Sequence, residues 1–488
     1  MSDTSDQHPF TRDRKQFAAL GAQVMEGLET FLEELETESL HRRVPDDQRR
    51  RLMGLDLPED GQSAEDMIGF LKEEVLPWPI AIAHPRCYAW ICAGIAPVGA
   101  LADLVASTMN TGLDGYDHAS IFLNVSVARW LMELTGFSDG EGFGVLFSGG
   151  SAANLNALTA ARYKAARDDG WDVRAEGLQG GRPRFMIYTS EEAHSSIQKC
   201  AEQLGLGQAS MHLVETEDNF RLIPSALRAA IEQDLAAGHR PMCVVAGAGT
   251  TNVGAVDPLD EMADISAEFG LWFHVDGAYG GFGALDPQYV DAYRGIERAD
   301  TLTVDPHKWL QAPVDCGALL MRHPQLHQEA FGLKPDYLTA SSEDSAPWPY
   351  EHMFQLTYGN RALKTWAVIA RLGRSGVRDL VVRCNRCATL LGELVEAAPD
   401  FELLAPVSLS VANFRNVPEG MTDEAEIDRL NEAIASEIER SGEAFMPTTK
   451  VRGRVSLRAC IIHYENSDED MHHLIDLVRR CAAKVMGS

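Results

Sequence analysis

Near the start of the chain apolar residues recur at steps of three and four: Phe17, Leu20, Val24, Leu28, Phe31 and Leu35. That spacing puts them on one stripe of a helix that Thr11 or Asp13 would cap. Glu26, Glu29, Glu33, Glu34 and Glu36 take the other faces. A linker with proline and glycine follows over 44–62, then a second helical pattern over 63–75. A long amphipathic helix ahead of the main body has nothing of its own to pack on. It needs another surface, either on its own chain or on a second copy.

From 86 to about 320 the pattern changes. Short apolar runs at 144–147, 184–189, 212–215, 242–246, 271–275, 301–304 and 317–321 read as strands. Helical patterns at 153–168, 192–204, 224–237 and 259–269 lie between several of them. This alternation predicts a doubly wound α/β unit. The stretch 335–350, rich in serine, proline and acids, reads as a mobile loop. A long helix begins near 359 and runs to about 383, with a glycine pause at 373–376. Beyond it, short strands (409–414, 455–462) alternate with helices (423–441, 468–486), the pattern of a smaller α+β domain. The chain of 488 residues is too long for one core. It divides into an N-terminal helical segment (1–85), a large domain (86–370) and a small C-terminal domain (371–488).

Charge narrows the partners. Asp plus Glu number 72 against 43 Lys plus Arg, a net charge of −29. Such a chain repels nucleic acid and anionic membranes. MSDTSDQHPFTRDR lacks the apolar core of a signal peptide, and the uncharged run 87–102 is shorter than a spanning helix needs and is interrupted by Gly94, Pro97 and Gly99. The nine cysteines are scattered, and the pair Cys384 and Cys387 falls in a helical pattern with no spaced histidine near it. Reduced structural thiols in the cytoplasm follow, with no metal site.

The chemistry lies at strand ends. TLTVDPHKWL (301–310) sets Lys308 just past a strand and a proline, and the strand at 271–275 ends on Asp276. Two strands ending on charged groups point to one site at the carboxyl edge of the sheet. FSGGSAANLN (147–156) is a strand, a small-residue turn and a helix start. Gly149 and Gly150 let backbone approach a ligand, while Ser151 and the free helix N–H groups suit a phosphate, although such turns are common. His194 in YTSEEAHSS would stack on a planar ring or move protons, or simply cap a helix. Thr250 and Thr251 put hydroxyls at another strand end, as an ordinary turn also does. Asp276 and Lys308 alone would also make a buried salt bridge. Taken together, one ligand accounts for all of them: pyridoxal 5′-phosphate. The cradle takes the phosphate, the carboxylate keeps the pyridine nitrogen protonated, and the lysine amine forms a Schiff base with the aldehyde.

At these residues the chain resembles the group II pyridoxal-phosphate-dependent amino-acid decarboxylases, most closely the aromatic-L-amino-acid decarboxylase branch. The resemblance rests on YTSEEAHSS, on AGAGTTNVGAVDPLDEMADISAEFGLWFHVDGAYGG, on DPHKW and on HPRCYAW. It implies an α/β, aminotransferase type I-like fold with a mixed, mostly parallel seven-stranded sheet, helices on both faces, an N-terminal helical segment and a small α+β domain. It further implies that Lys308 bonds the cofactor's aldehyde carbon and Asp276 its ring nitrogen. Ala278 and His194 would lie on the two faces of the ring. Gly150, Ser151 and His307 would hold the phosphate, and Thr251 or Thr250 would approach the cofactor or the substrate carboxylate. Tyr337, in LKPDYL, would be the loop tyrosine that returns a proton after carbon dioxide leaves. A homodimer with exchanged N-terminal helices is implied as well.

The implied reaction takes an L-amino acid, with tryptophan, tyrosine, DOPA or phenylalanine favoured, to its amine and carbon dioxide. Several positions depart from the branch. Asp305 stands where asparagine is usual, and an acid near a phosphate must point elsewhere or pair with a cation. Gly277 replaces an alanine. TGLDGYDH (111–118) has little aromatic character beyond Tyr116, and Ile91, Cys92 and Ala93 are small or apolar. Trp90 and Trp309 still offer aromatic surface. An acidic substrate (glutamate, cysteine sulfinate) would need a cation, and none beyond Arg86 is evident; diaminobutyrate is a further alternative. An aldehyde-forming oxidative variant is disfavoured by the presence of both Tyr337 and His194, and a non-catalytic scaffold by the intact Lys308, Asp276 and Tyr337. Arg458 in SLRACI reads as structural.

Overall fold

The computed structural model describes residues 8–37, 39–40, 42–80, 82–91, 93–112, 117–138, 142–333 and 347–487. Seven strands make the main sheet: β1 (Phe143–Phe147), β2 (Phe185–Ser190), β3 (Met211–Val214), β4 (Arg240–Gly247), β5 (Trp272–Asp276), β6 (Thr301–Val304) and β7 (Gly317–Met321). Their order is β1-β7-β6-β5-β4-β2-β3, and only β7 runs against its neighbours. This is the mixed, mostly parallel sheet of the aminotransferase type I-like fold. The strands are apolar almost throughout because the sheet has no wet face. Val244 and Ala246 of β4 join one apolar cluster with Leu227, Ile231 and Met262, from helices Pro224–Ala236 and Leu259–Glu268. Cys243 and Val245 point the other way, to Leu158, Ala161 and Ile197 of helices Gly150–Asp168 and Ser195–Gln203.

The chain leaves this layer through one long helical run, Arg361–Glu396. Gly373 interrupts it at φ 65° and ψ 171°, a conformation that costs glycine little. This is the expected pause. The helix then continues past 383, because Val377, Leu380, Val381, Cys384, Ala388, Leu391 and Val395 keep one buried stripe. The second sheet has the order β10-β11-β9-β8 and is antiparallel throughout, with β8 (Phe401–Leu403), β9 (Val411–Asn416), β10 (Thr448–Val451) and β11 (Arg454–Cys460). Helices Glu424–Ser441 and Asp468–Met486 pack on it through Ile434, Ile438, Leu474 and Val478. The strands β8, three residues long, and β10, with one apolar residue in TTKV, leave no apolar run to read and were not expected.

Two further differences have clear causes. The linker expected at 44–62 contains the helix Asp46–Met53. No residue of it is buried, so it has no apolar period; Asp46 and Asp47 in its first turn and Arg50 and Arg51 in its last suit the helix dipole instead. The helix Ala119–Thr135 was not anticipated either. It buries Val127, Leu131, Met132 and Leu134 against the sheet and ends at Gly136, φ 71°. The N-terminal helix spans Pro9–Thr37, and Ser63 caps the helix Ala64–Phe70, which continues as a π-helical turn, Leu71–Val75. Among the described residues no helix is long and apolar enough to cross a membrane.

Three histidines are locked inside as neutral rings. Burial pushes His274 and His463 down to about 4 and His327 down to about 3, from 6.5. His463 donates from Nε2 to the Ala83 carbonyl at 3.0 Å and accepts the Glu465 N–H at Nδ1 (3.1 Å), which satisfies the neutral form. In the unfolded chain these rings take up protons below about 6.5, whereas the folded protein does not. Their contribution is therefore intact above pH 6.5 and is lost as pH falls toward 4. The urea midpoint should be lower at pH 5 than at pH 7.5. Equal midpoints would show that the rings protonate without unfolding the protein.

Candidate active site

Five strand ends meet at one edge of the main sheet. From β1 the chain passes through Ser148 and Gly149 into the helix that starts at Gly150. The others lead to His194 after β2, Thr250 after β4, Asp276 at the end of β5 and Lys308 after β6. Parallel pairing sets Asp276 beside Gly247 on one side and Thr303 on the other. Between these ends lies a cavity of about 400 Å³. Its lining includes Lys308, Asp276, Ala278, His194 and His307. Gly150, Ser151, Thr250 and Thr251 complete the set expected from the sequence. Tyr337, Tyr116 and Cys92 lie outside the described residues.

Asp276 is half-buried. Its Oδ1 accepts the Ala278 N–H at 3.1 Å and its Oδ2 accepts Asn154 Nδ2 at 2.8 Å. Lys308 pairs with Asp305 rather than Asp276: Nζ lies 3.1 Å from Asp305 Oδ2, with the carboxylate 3% exposed. The buried Asp276–Lys308 bridge that the sequence left open is not formed. His307 Nε2 stands 3.8 Å from the same oxygen, and its Nδ1 is 2.5 Å from the Cys316 carbonyl oxygen. Asp305 Oδ1 has no hydrogen-bond partner among the described residues. Asp305 thus meets a cation, the condition its position imposed.

The cradle depends on missing side chains. A Cβ on Gly150 would sit 3.0 Å from the Ala278 Cβ and 3.1 Å from Asp305 Oδ2. One on Gly317 would come within 2.6 Å of Gly149 backbone. The first helical hydrogen bonds run from Ala152 and Ala153 to the Gly149 carbonyl, so the N–H groups of Gly150 and Ser151 precede them. Those groups and the exposed Ser151 hydroxyl offer donors to an anion.

His194 does two things at once. It is the N-cap of helix Ser195–Gln203, where its Nδ1 accepts the Ser196 N–H at 3.2 Å, and its ring lines the cavity. Burial holds it below the ordinary histidine range. Thr250 turns inward, its Oγ1 accepting the Ala255 N–H at 3.0 Å, while Thr251 stays exposed and available. The Thr251 loop is anchored by Arg458, which donates to the carbonyls of Thr251, Asn252 (3.1 Å) and Trp90 (2.7 Å). Its structural reading therefore gains a specific purpose, the support of one cavity wall.

Other expectations need correction. Trp309 does not line the cavity; it is fully buried and stacks on Tyr279, centroids 5.1 Å apart. Trp90 is not a lining residue either, and its ring packs edge-on against Phe445. Arg86 pairs with Asp470 at 3.0 Å, away from the lining. Three participants had no sequence signal. Asn154 and Ser196 support Asp276 and His194, and Glu192 lines the cavity with its carboxyl pushed up, chiefly by burial. No metal-holding cluster occurs among the described residues. The donor set suits pyridoxal phosphate: an N–H and hydroxyl cradle for the phosphate, a carboxylate for a ring nitrogen, a lysine for the aldehyde, and space kept free by Gly150.

Comparison with known proteins agrees. Residues 45–417 match the pyridoxal-dependent decarboxylase conserved domain. The aromatic-L-amino-acid decarboxylase of Bacillus atrophaeus is 30% identical over 96% of this chain and 95% of its own length. The acidic amino acid decarboxylase GADL1 of Mus musculus is 29% identical over 88% of this chain and 80% of its own. Among solved structures, the Oryza sativa TDC with PLP and tryptamine aligns with a TM-score of 0.90 at 24% identity, covering 97% of this chain and 98% of that one. Mouse CSAD gives 0.88 at 26% identity, covering 96% and 99%.

The Lys308–Asp305 pair yields a test that is independent of turnover. Removing one partner of a buried pair leaves an uncompensated charge, which costs about 3–5 kcal/mol. In the cofactor-free protein Lys308→Met should therefore lower stability, and adding Asp305→Asn should recover most of the loss. Urea unfolding of the two variants and the parent checks this. A double variant no more stable than Lys308→Met would rule out the pair as the cause.

Proposed function

The chain belongs to the pyridoxal-dependent decarboxylase family and is a pyridoxal-phosphate-dependent amino-acid decarboxylase, and we propose that it converts an aromatic L-amino acid to its amine. One observation carries the substrate class. The cavity lining holds three carboxylates, Glu192, Asp276 and Asp305, and among the described lining residues no arginine. A substrate with an acidic side chain would meet repulsion there and no free cation. The resemblance to the Bacillus atrophaeus enzyme favours the aromatic class.

Lys308 would hold the cofactor's aldehyde end and Asp276 its ring nitrogen. His194 and Ala278 would lie against the ring's two faces. Gly150, Ser151 and His307 would hold the phosphate, with Thr251 near the cofactor or the substrate carboxylate. When bound, pyridoxal phosphate supplies a ring that takes up the electron pair left as carbon dioxide departs. Asp276 would favour that role by holding negative charge beside the ring nitrogen. His194 presents a neutral ring, so it adds no cation to compete with Lys308. Tyr337 would donate a proton to the substrate α carbon. The residues exposed along the N-terminal helix, Phe10, Phe17, Val24 and Leu32, together with Leu101, Leu104 and Met109, support a homodimer that covers them. Among the described residues eight cysteines are buried and outside any disulfide, which supports a reducing compartment such as the cytoplasm.

A second reading, a diamino acid substrate, draws on Glu192, whose carboxyl would pair with a side-chain amine. Mass spectrometry of products from a pool of amino acids separates the two. Tryptamine, tyramine, dopamine or phenethylamine is expected, and a diamine or 4-aminobutyrate instead would overturn the aromatic class. Tyr337→Phe should reduce amine formation about a hundredfold, the usual worth of a positioned acid, with aldehyde, peroxide and ammonia rising. Undiminished amine output would remove Tyr337 from the proton-donor role.

A further inference from the structure

From the cavity wall inward a line of hydrogen bonds joins residues from four elements. Asn154, on helix Gly150–Asp168, is its centre. Its Nδ2 lies 2.8 Å from Asp276 Oδ2 and 3.1 Å from Ser196 Oγ. Its Oδ1 lies 3.0 Å from His274 Nε2. His274 Nδ1 is 2.9 Å from Thr301 Oγ1, which also accepts Trp272 Nε1 at 3.0 Å. Asn154, Ser196, His274 and Thr301 are each buried to 1% exposure or less.

The proton positions follow from the chemistry of the ends. As a carboxylate, Asp276 can only accept, so the amide nitrogen of Asn154 must face it. The amide oxygen then faces His274 Nε2, which must donate. His274 Nδ1 is left as an acceptor and takes the Thr301 hydroxyl proton. The far end agrees, because Trp272 only donates and so leaves Thr301 its own proton to give. On the other branch, the second amide proton of Asn154 goes to Ser196 Oγ. Ser196 then has its hydroxyl proton free for His194 Nδ1, 2.8 Å away, which also accepts the Ser196 backbone N–H. A ring nitrogen that accepts two bonds carries no proton, so the proton of His194 sits on Nε2. The burial that depresses His274 and His194 suits two neutral rings.

We propose that Asn154 is a positioning residue for the decarboxylation: its amide spends one proton on Asp276 and the other on Ser196, and so fixes together the orientation of the carboxylate and the tautomer of His194. The inference rests on the reading in which Asp276 and His194 face the cofactor. One rigid amide thereby couples the group beside the ring nitrogen to the group over the ring face. A flipped amide would set its oxygen against Asp276, so only one arrangement is favourable.

The test uses Asn154→Ala and the milder Ser196→Ala, with Asp276→Ala as the control for the underlying reading. Loss of a hydrogen bond to a charged group weakens binding about tenfold or more, so Asn154→Ala should raise the cofactor dissociation constant by that factor in fluorescence titration of the cofactor-free protein. The kcat for amine formation should fall while KM for the amino acid stays within about twofold, the mark of an interaction that matters at the reacting centre rather than in substrate binding. In nitrogen-15 histidine spectra of the cofactor-free protein, the His194 Nδ1 resonance should move in both variants. Should Asn154→Ala not fold, Ser196→Ala decides alone: an unmoved Nδ1 resonance overturns the proposal. Unchanged cofactor affinity and unchanged His194 signals in Asn154→Ala, with affinity weakened in Asp276→Ala, would overturn the proposal and leave the functional reading standing. Unchanged affinity in Asp276→Ala would remove the reading itself.

Discussion

The parallel pairing of β4, β5 and β6 is the constraint from which the site is built. It aligns Gly247, Asp276 and Thr303 in one row at the edge of the sheet. Side chains alternate along a strand, so a slip of one residue would turn Asp276 to the opposite face. The same register sets where β6 ends and thus where Lys308 emerges. Strand β7 then returns antiparallel between β6 and β1, and brings Gly317 against Gly149 and Asp305, where even a methyl group would collide. The lysine, the carboxylate and the cradle are therefore not independent features. Each is placed by the same set of ladder hydrogen bonds.

Electrostatics at this edge differ from those of the molecule as a whole. The chain carries a net charge of −29, yet its most buried site charges are neutralised locally. Asp305 is matched by Lys308, and Asp276 by one backbone and one side-chain donor. The cationic side chains nearby are committed elsewhere, Arg86 to Asp470 and Arg458 to three carbonyl oxygens. A bound phosphate would therefore be met by N–H dipoles and a hydroxyl rather than by an arginine. Fixed dipoles suit that task because burial has already been offset in folding and little reorganisation remains when the anion arrives.

Support from behind the wall matters as much as the lining. Arg458 comes from β11 of the second sheet and ties down the Thr251 loop that follows β4. Asn154 comes from helix Gly150–Asp168 and ties down Asp276 at the end of β5. Gly150 and Gly317 contribute by what they lack. The cavity is thus lined from the main sheet and buttressed from the second through Arg458.

By itself the sequence determined the seven main strands to within a few residues, the strand-end positions of Lys308, Asp276, His194 and Ser151, and the chemistry they suit together. Those signals are local: an apolar run, a glycine pair, a charged residue just past a strand. The tertiary structure alone decided who pairs with whom. Lys308 meets Asp305, Trp309 faces the core beside Tyr279, and Arg86 turns to Asp470, because side-chain direction depends on neighbours brought in by the fold. The charged helix Asp46–Met53 and the short strands β8 and β10 escaped for a related reason, since without a buried stripe there is no period to read. The line from Trp272 through Thr301, His274 and Asn154 to Asp276 and Ser196 joins residues up to 122 positions apart. No spacing in the chain announces it; it exists only because two helices and two strands are stacked, and buried polar groups must then find one another.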